Sequence, residues 1–275
     1  MNKIKQHKGK VILAGAGPGD PELLTLKAMR YLQKADVVIT DRLVSTVILD
    51  EFVNKEAQVI HVGKQCRKGA STPQSTINEL IVDYALQGKL VVRLKGGDVS
   101  IFSNVLDELQ ALVENKIEYE IIPGVTAALG AAAYAGIPLT ARDHSTAVRF
   151  LTYYKMDVID DDVWKDIAST NDTLVFYMSS DTTDLLIQKL IESKIGNDKH
   201  IAVIEQATTA LQNVYECSVY DYAEKFGKSS YVSPTLIIIG KVAALQQQYK
   251  WIENSNSKEN YFQPVAKSKD ALSRA

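Results

Sequence analysis

Gly15-Ala16-Gly17-Pro18-Gly19-Asp20-Pro21-Glu22 follows the apolar run Val11 to Ala14. After it, Leu24, Ala28, Tyr31, Leu32 and Ala35 recur on one helical face. A strand that breaks at glycines and resumes as a helix is the start of a βα unit. It invites comparison with a dinucleotide-binding turn, which needs Gly or Ala at the last position of G-x-G-x-x-G. Here that position is Asp20. Asp20 reads as an N-cap, with Pro21 at the first helical position and Glu22 just inside. Two carboxylates at a helix N-terminus repel a pyrophosphate, and no Lys-Ser/Thr pair follows the glycines. The loop therefore suits close backbone approach to a group that is not strongly anionic, such as an adenosine or an amino acid. A purely structural glycine turn is the alternative.

Outward from this loop the alternation continues. Val37–Ile39, Gln58–Val62, Leu90–Leu94 and Tyr119–Ile122 read as strands. Between them, helical spacing runs over Thr46–Val53, Ile77–Ala85 (with Thr72 as N-cap and Pro73 at the first position) and Val105–Val113. The pattern predicts a mostly parallel sheet covered on both faces, with Val125–Ala135 packed closely against it. Two more glycine turns follow strands, Arg93-Leu94-Lys95-Gly96-Gly97-Asp98 and Pro123-Gly124-Val125-Thr126. Ligands of open α/β sheets bind at the carboxyl ends of strands, so these turns mark one candidate crevice.

Beyond Pro138 the texture changes. Ala147–Tyr153, Thr173–Met178, Ile201–Ile204, Asn213–Val219 and Thr235–Ile239 read as strands, with Thr183–Glu192 the clearest helix. Turn-like gaps between the later strands predict antiparallel pairing. The expected organisation is an N-terminal extension over 1–10, an α/β domain over 11–144, a second α/β domain over 145–252, and a loose polar tail over 253–275.

Composition narrows the function. The chain has 275 residues and a net charge of -2, from 31 basic and 33 acidic side chains. This balance argues against a nucleic-acid or membrane-surface partner. The two cysteines, Cys66 and Cys217, form no CxxC pair, and no Cys/His cluster has metal-ligand spacing, so neither a disulfide framework nor a metal is expected. The expected compartment is the cytoplasm. The basic start MNKIKQHKGK is followed by too short an apolar run for a signal peptide or membrane span.

These motifs, taken in order, resemble those of the tetrapyrrole (precorrin) methylases. The likeness rests on Gly15 to Leu26, Asp41-Arg42-Leu43-Val44-Ser45, Val62-Gly63-Lys64 and Val92 to Asp98. It continues through Pro123 to Ala128, Ala133 to Thr140, Arg142-Asp143-His144 and Leu174 to Met178, so that it spans about Lys10 to Trp251. The resemblance implies two α/β domains, the first with a mostly parallel sheet and the second with a mixed one, holding S-adenosylmethionine in the cleft between them. A homodimer is implied as well. Within the family the motifs are nearest to members that methylate uroporphyrinogen III twice, giving precorrin-2 for sirohaem or cobalamin synthesis.

The resemblance places Pro18, Gly96, Gly97, Asp98, Ile101, Thr126, Ala127, Met178 and Ala207 on cofactor-contact positions. Asp41 falls on the proton acceptor and Lys64 on the proton donor. The substrate is a polycarboxylate, so basic residues at strand ends, Arg42 and Lys95 besides Lys64, are the expected carboxylate partners. Read without the family, Asp41 is a turn or cap residue, Lys64 a surface lysine, and Met178 part of a core. His144 reads at least as well as a structural hydrogen-bonding residue as a catalytic one.

One segment departs from the family. After Gly96-Gly97-Asp98 the usual continuation is Pro-Phe-Ile-Phe-Gly-Arg-Gly-Gly-Glu-Glu, whereas this chain has Val99-Ser100-Ile101-Phe102-Ser103-Asn104-Val105-Leu106-Asp107-Glu108. The lost glycines stiffen the loop and the lost arginine removes a carboxylate clamp. Alternatives are therefore a methyltransferase acting on a later precorrin or cobalt-corrinoid, and a non-catalytic ligand-binding paralogue. A nicotinamide-dependent oxidoreductase would rest on the glycine loop alone, and Asp20 argues against it.

Overall fold

The computed structural model describes residues 8–63, 72–153 and 159–262. The chain divides into two compact units, one of the residues up to Thr126 together with Phe262, the other running from Ala127 to Tyr261. The division falls before the boundary expected near residue 144.

The first unit carries β1 (Lys10–Gly15), β2 (Val37–Thr40), β3 (Gln58–His61), β4 (Leu90–Lys95) and β5 (Glu118–Ile122) in one sheet of order β3-β2-β4-β1-β5. Every pairing in it is parallel. Strand alternation sends Ile12, Ala14, Val38, Val92 and Leu94 to one face, where α1 (Leu26–Leu32) and α2 (Thr46–Phe52) supply Ala28, Leu32 and Ile48. The opposite face holds Val11, Leu13, Val37, Ile39 and Val91. There α3 (Gln74–Leu86) and α4 (Val105–Glu114) add Ile77, Ile81, Ala85 and Leu112. Both faces are buried, as a parallel sheet requires.

Strand order also fixes the ligand end of this sheet. β1 and β4 are neighbours, but β1 leads into α1 on one face while β4 leads into α4 on the other. Their loops therefore part at a topological switch point.

Two helix starts differ from expectation. Asp20 does cap, its Oδ1 accepting the Glu22 N–H at 2.8 Å, but what it caps is a single 3-10 turn over Pro21–Leu23. α1 begins later, capped by Thr25, whose Oγ1 accepts the Ala28 N–H at 3.3 Å. The glycine loop thus lies a turn away from the α1 N-terminus. In α3 the N-cap is the extended Pro73 rather than Thr72, so the helix begins one residue late.

The second unit opens with α5 (Ala127–Ala135) and continues through β6 (Val148–Thr152), α6 (Asp161–Ser169), β7 (Thr173–Tyr177) and α7 (Thr183–Glu192). It then adds β8 (His200–Glu205), β9 (Asn213–Ser218) and β10 (Thr235–Gly240), giving the sheet order β6-β7-β10-β8-β9. The β7–β10, β10–β8 and β8–β9 pairs are antiparallel as expected, but β6 and β7 are parallel. A parallel pair needs a crossover, and α6 supplies it. Its apolar face is only Trp164, Ile167 and Ala168 among acidic neighbours, too narrow to announce a helix.

The Ala-rich α5 packs on this second sheet, with Ala128, Ala131 and Ala135 against Val175, Ala202, Ile204 and Ile238, rather than on the first. The other face carries α6 and α7.

The expected loose tail over 253–275 is corrected over its described part; residues 263–275 lie outside the described residues. Over 254–257 the chain lies along the start of β9: Val214 N–H donates to Asn254 Oδ1 at 2.8 Å, and Asn254 Nδ2 returns a bond to Val214 O at 3.0 Å. Ser255 N–H reaches Gln212 O at 3.1 Å and Asn256 N–H reaches Asn213 Oδ1 at 2.8 Å. Asn and Ser side chains, which read as solvent-loving, here satisfy the open edge of a sheet.

Candidate active site

At the switch point the loops after β1 and β4 are cross-linked. Gly17 N–H donates to Gly97 O at 3.1 Å and Gly97 N–H to Gly17 O at 2.7 Å, while Ala16 N–H reaches Lys95 O at 2.8 Å. The loop after β5 joins them. A Cβ on Gly15 would sit 2.5 Å from Gly97 O and 2.7 Å from Gly124 N, and one on Gly124 would sit 2.3 Å from Gly97 O. Glycine is needed at 15 and 124 so that three backbones can meet each other. The sequence reading had assigned that closeness to a ligand.

Two carboxylates fasten this cluster. Asp98, almost fully buried, accepts the Ser100 N–H on Oδ1 at 2.8 Å and the Gly124 N–H on Oδ2 at 2.9 Å, so it ties the β4 loop to the β5 loop. Asp41 ends β2, and its Oδ1 accepts the Leu43 N–H at 2.9 Å while Oδ2 accepts the Gly96 N–H at 3.3 Å. The turn-residue reading of Asp41 is thus correct as far as it goes. The same carboxylate also reaches across to the glycine pair, which places it at the carboxyl ends of both β2 and β4. A Cβ on Gly63 would lie 3.7 Å from Asp41 Cβ, so the chain leading to Lys64 passes beside Asp41. Lys64 itself lies outside the described residues. Arg42 is half-buried in the turn next to Asp41, Pro18 and Ile101 are partly buried, and Thr126 is buried.

Lys95 is placed differently from expectation. Its ammonium is buried and pairs with Glu108 at 2.9 Å, while Arg93 Nε donates to the other Glu108 oxygen at 3.0 Å. Arg93 also donates to the Ile39 carbonyl at 3.3 Å. Burial pushes the Lys95 ammonium below the usual lysine value, against the pull of Glu108. An inward cation already paired with a buried carboxylate is a poor clamp for a substrate carboxylate, which leaves Arg42 as the cation of choice. Glu108 was not singled out from sequence. The available signal was Arg93 and Lys95, two cations on one face of an apolar strand, which demand a buried counter-charge.

In the second unit, three expected cofactor residues gather at one end of the sheet. β7 and β8 both run antiparallel to β10, so their carboxyl ends flank its start. Met178 follows β7 and Ala207 lies just beyond β8. Ala127 opens α5, which is tied to the same end by the Ala128 N–H donating to Tyr177 Oη at 3.1 Å. Met178 is half-exposed with φ at 54°, so it is no core residue. Ala207 sits between Gln206 (φ 47°) and Thr208 (φ 66°), two non-glycine residues in the left-handed region. His144 Nδ1 lies 2.9 Å from the Arg142 carbonyl oxygen, a structural contact.

Comparison with known proteins accords with this arrangement. Residues 10–223 match the family model for tetrapyrrole (corrin/porphyrin) methylases. A sirohaem synthase of Pseudomonas fluorescens is 43% identical over 249 residues, covering 90% of this chain and 53% of that protein. One from Acinetobacter baylyi is 45% identical over 89% of this chain and 53% of its own length. The chain spans about half the length of these curated relatives. Among solved structures, uroporphyrin-III C-methyltransferase from Thermus thermophilus superposes with a TM-score of 0.73 at 31% identity, covering 89% of this chain and 98% of that one. A cobalt precorrin-4 methyltransferase gives a TM-score of 0.75 at 26% identity over 85% and 95% of the two chains. With the family model matched over most of its length and the glycine loops, Asp41 and Met178 at the sheet ends, the chain belongs to the tetrapyrrole methylases.

Proposed function

We propose that this protein transfers methyl groups from S-adenosylmethionine to two ring carbons of uroporphyrinogen III, yielding precorrin-2. The observation that carries the reading is Asp41, held by two backbone N–H groups at the end of β2, beside the switch point of a tetrapyrrole methylase sheet. Support comes from the Thermus uroporphyrin-III C-methyltransferase, a second structure of which holds S-adenosylhomocysteine and superposes at a TM-score of 0.71 with 31% identity.

The residues present suit such a ligand. In the first unit the ligand-facing loops present main chain, with the Asp98 carboxylate already engaged by Ser100 and Gly124. In the second unit Met178 is turned out of the core and Ala207 is held in a defined turn. Pro18, Gly96, Gly97, Asp98, Ile101, Thr126, Ala127, Met178 and Ala207 are the proposed contacts. When bound, S-adenosylmethionine supplies an electrophilic methyl group for in-line displacement by a pyrrole carbon. Such a reaction asks the protein chiefly for positioning and exclusion of water. Each methyl gained is matched by one proton lost from the ring system, which Asp41 takes once the new C–C bond has formed; Lys64 is the proton donor in ring tautomerisation, where every proton returned is matched by a second one lost. Arg42, beside Asp41, pairs with a substrate carboxylate. The same reading includes a cytoplasmic homodimer in sirohaem or cobalamin synthesis. No helix among the described residues is long and apolar enough to cross a membrane.

A second reading, methylation of a later precorrin or cobalt-corrinoid, is favoured by the divergent segment, in which Phe102 and Asn104 take φ values of 50° and 54° just before α4. Anaerobic incubation with uroporphyrinogen III and S-adenosylmethionine separates the two. The proposal expects a product heavier by two methyl groups. Unchanged uroporphyrinogen, from protein that binds S-adenosylhomocysteine by calorimetry, would shift the assignment to the later intermediates.

A further inference from the structure

The turn that carries Ala207 is held locally, by Thr208 N–H on Gln212 Oε1 at 2.9 Å and Thr209 Oγ1 on Gln206 O at 2.8 Å, and also from far away in the chain. A left-handed conformation is unfavourable for an L-residue, and here Gln206 and Thr208 both adopt it. At Gln206 the surroundings hold that conformation in place. Gln206 is fully buried; its Nε2 donates to Glu259 O at 2.9 Å and its Oε1 accepts the Tyr261 N–H at 2.6 Å. Both partners lie in the stretch that begins along β9. The residue before it is hooked by the same stretch. Glu205, also fully buried, takes the Val232 N–H at 2.7 Å and the Tyr215 hydroxyl at 3.2 Å. Lys258 then closes this group, at 3.4 Å from Glu205 Oε1 and 2.7 Å from Tyr215 Oη.

The stretch has two halves with different targets. Asn254, Ser255 and Asn256 satisfy the β9 edge and its approach at Gln212, which is all that sealing a sheet would need. Lys258, Glu259 and Tyr261 leave that edge and converge on Glu205 and Gln206. We propose that residues 254–261 form a strap that sets the conformation of the Ala207 turn, and that Gln206 is the positioning residue through which the strap governs binding of S-adenosylmethionine. The inference rests on the reading of Ala207 as a cofactor contact.

The test uses the full chain and three variants. Gln206→Met keeps the side-chain volume and removes both strap bonds, while Tyr261→Pro removes the N–H that Gln206 accepts. Leu190→Ala, in the fully buried core beneath α7, serves as a destabilised control. Calorimetry with S-adenosylhomocysteine and amide exchange at Thr208 and Thr209 are the readouts. Gln206→Met is expected to weaken binding by about fivefold or more and to speed exchange in the turn. Leu190→Ala lowers the melting temperature while leaving the dissociation constant within about twofold. If Gln206→Met does not fold, Tyr261→Pro decides on the same readouts. Unchanged affinity in the strap variants, or equal weakening in Leu190→Ala, overturns the strap. Wild-type protein that binds no S-adenosylhomocysteine overturns the cofactor reading beneath it, a failure distinguishable because it precedes any substitution.

Discussion

At the end of β4 the chain turns through Gly96-Gly97, with Gly97 at φ 70°; just beyond β8 it turns through Gln206-Ala207-Thr208, with its outer residues at φ 47° and 66°. The backbone demand is alike, and the two solutions differ. The first rests on residue type: glycine tolerates the conformation and lets neighbouring loops touch, with Gly17 and Asp41 bonded to it. In the second, ordinary residues take the conformation: Gln206 is held by hydrogen bonds from more than fifty positions away in sequence, and the Thr208 N–H by Gln212 Oε1 at 2.9 Å. A glycine turn of this kind is intolerant of any side chain where the loops meet. A strapped turn carries side chains, and it depends on every partner that holds it.

The largest expected effect tests the first half of this contrast. Gly15→Ala sets a methyl group 2.5 Å from a backbone oxygen and 2.7 Å from a backbone nitrogen, neither of which can swing aside as a side chain would. It should destabilise the protein by about 3 kcal/mol, read by denaturant unfolding. A near-neutral result would mean that the three loops are not packed on one another. A smaller effect sharpens the other half. Lys194 is exposed, has φ at 63° and closes α7 in a Schellman arrangement, with Ile195 N–H on Leu190 O at 3.0 Å. No described side-chain bond holds it, so Lys194→Gly should raise stability by about 0.5–1 kcal/mol. If strapping is what maintains the left-handed turn at 206, the same swap there should lower stability instead.

Legibility in the sequence followed the same division. The parallel first sheet and its three glycine turns could be read because each signal lies within a few residues of the element it shapes. The strands of the second sheet are legible one by one, but the parallel β6–β7 pair is not, since α6 hides its three buried apolar residues among aspartates. The position of Lys95 at a strand end suggests solvent, whereas its partner Glu108 sits on α4, on the face of the sheet to which the Lys95 side chain turns. The strap was read as loose because Asn, Ser and Lys suit water as well as they suit a sheet edge. Only the fold shows which of the two they meet.

The central claim is that Asp41 serves the chemistry and does more than pin a turn. Asp41→Asn keeps a carbonyl oxygen to accept one of its two backbone N–H groups while removing the proton-accepting carboxylate. The account predicts S-adenosylhomocysteine affinity close to wild type, with methylation of uroporphyrinogen III slowed by about a hundredfold or more. Methylation at the wild-type rate in a variant that folds and binds would contradict it.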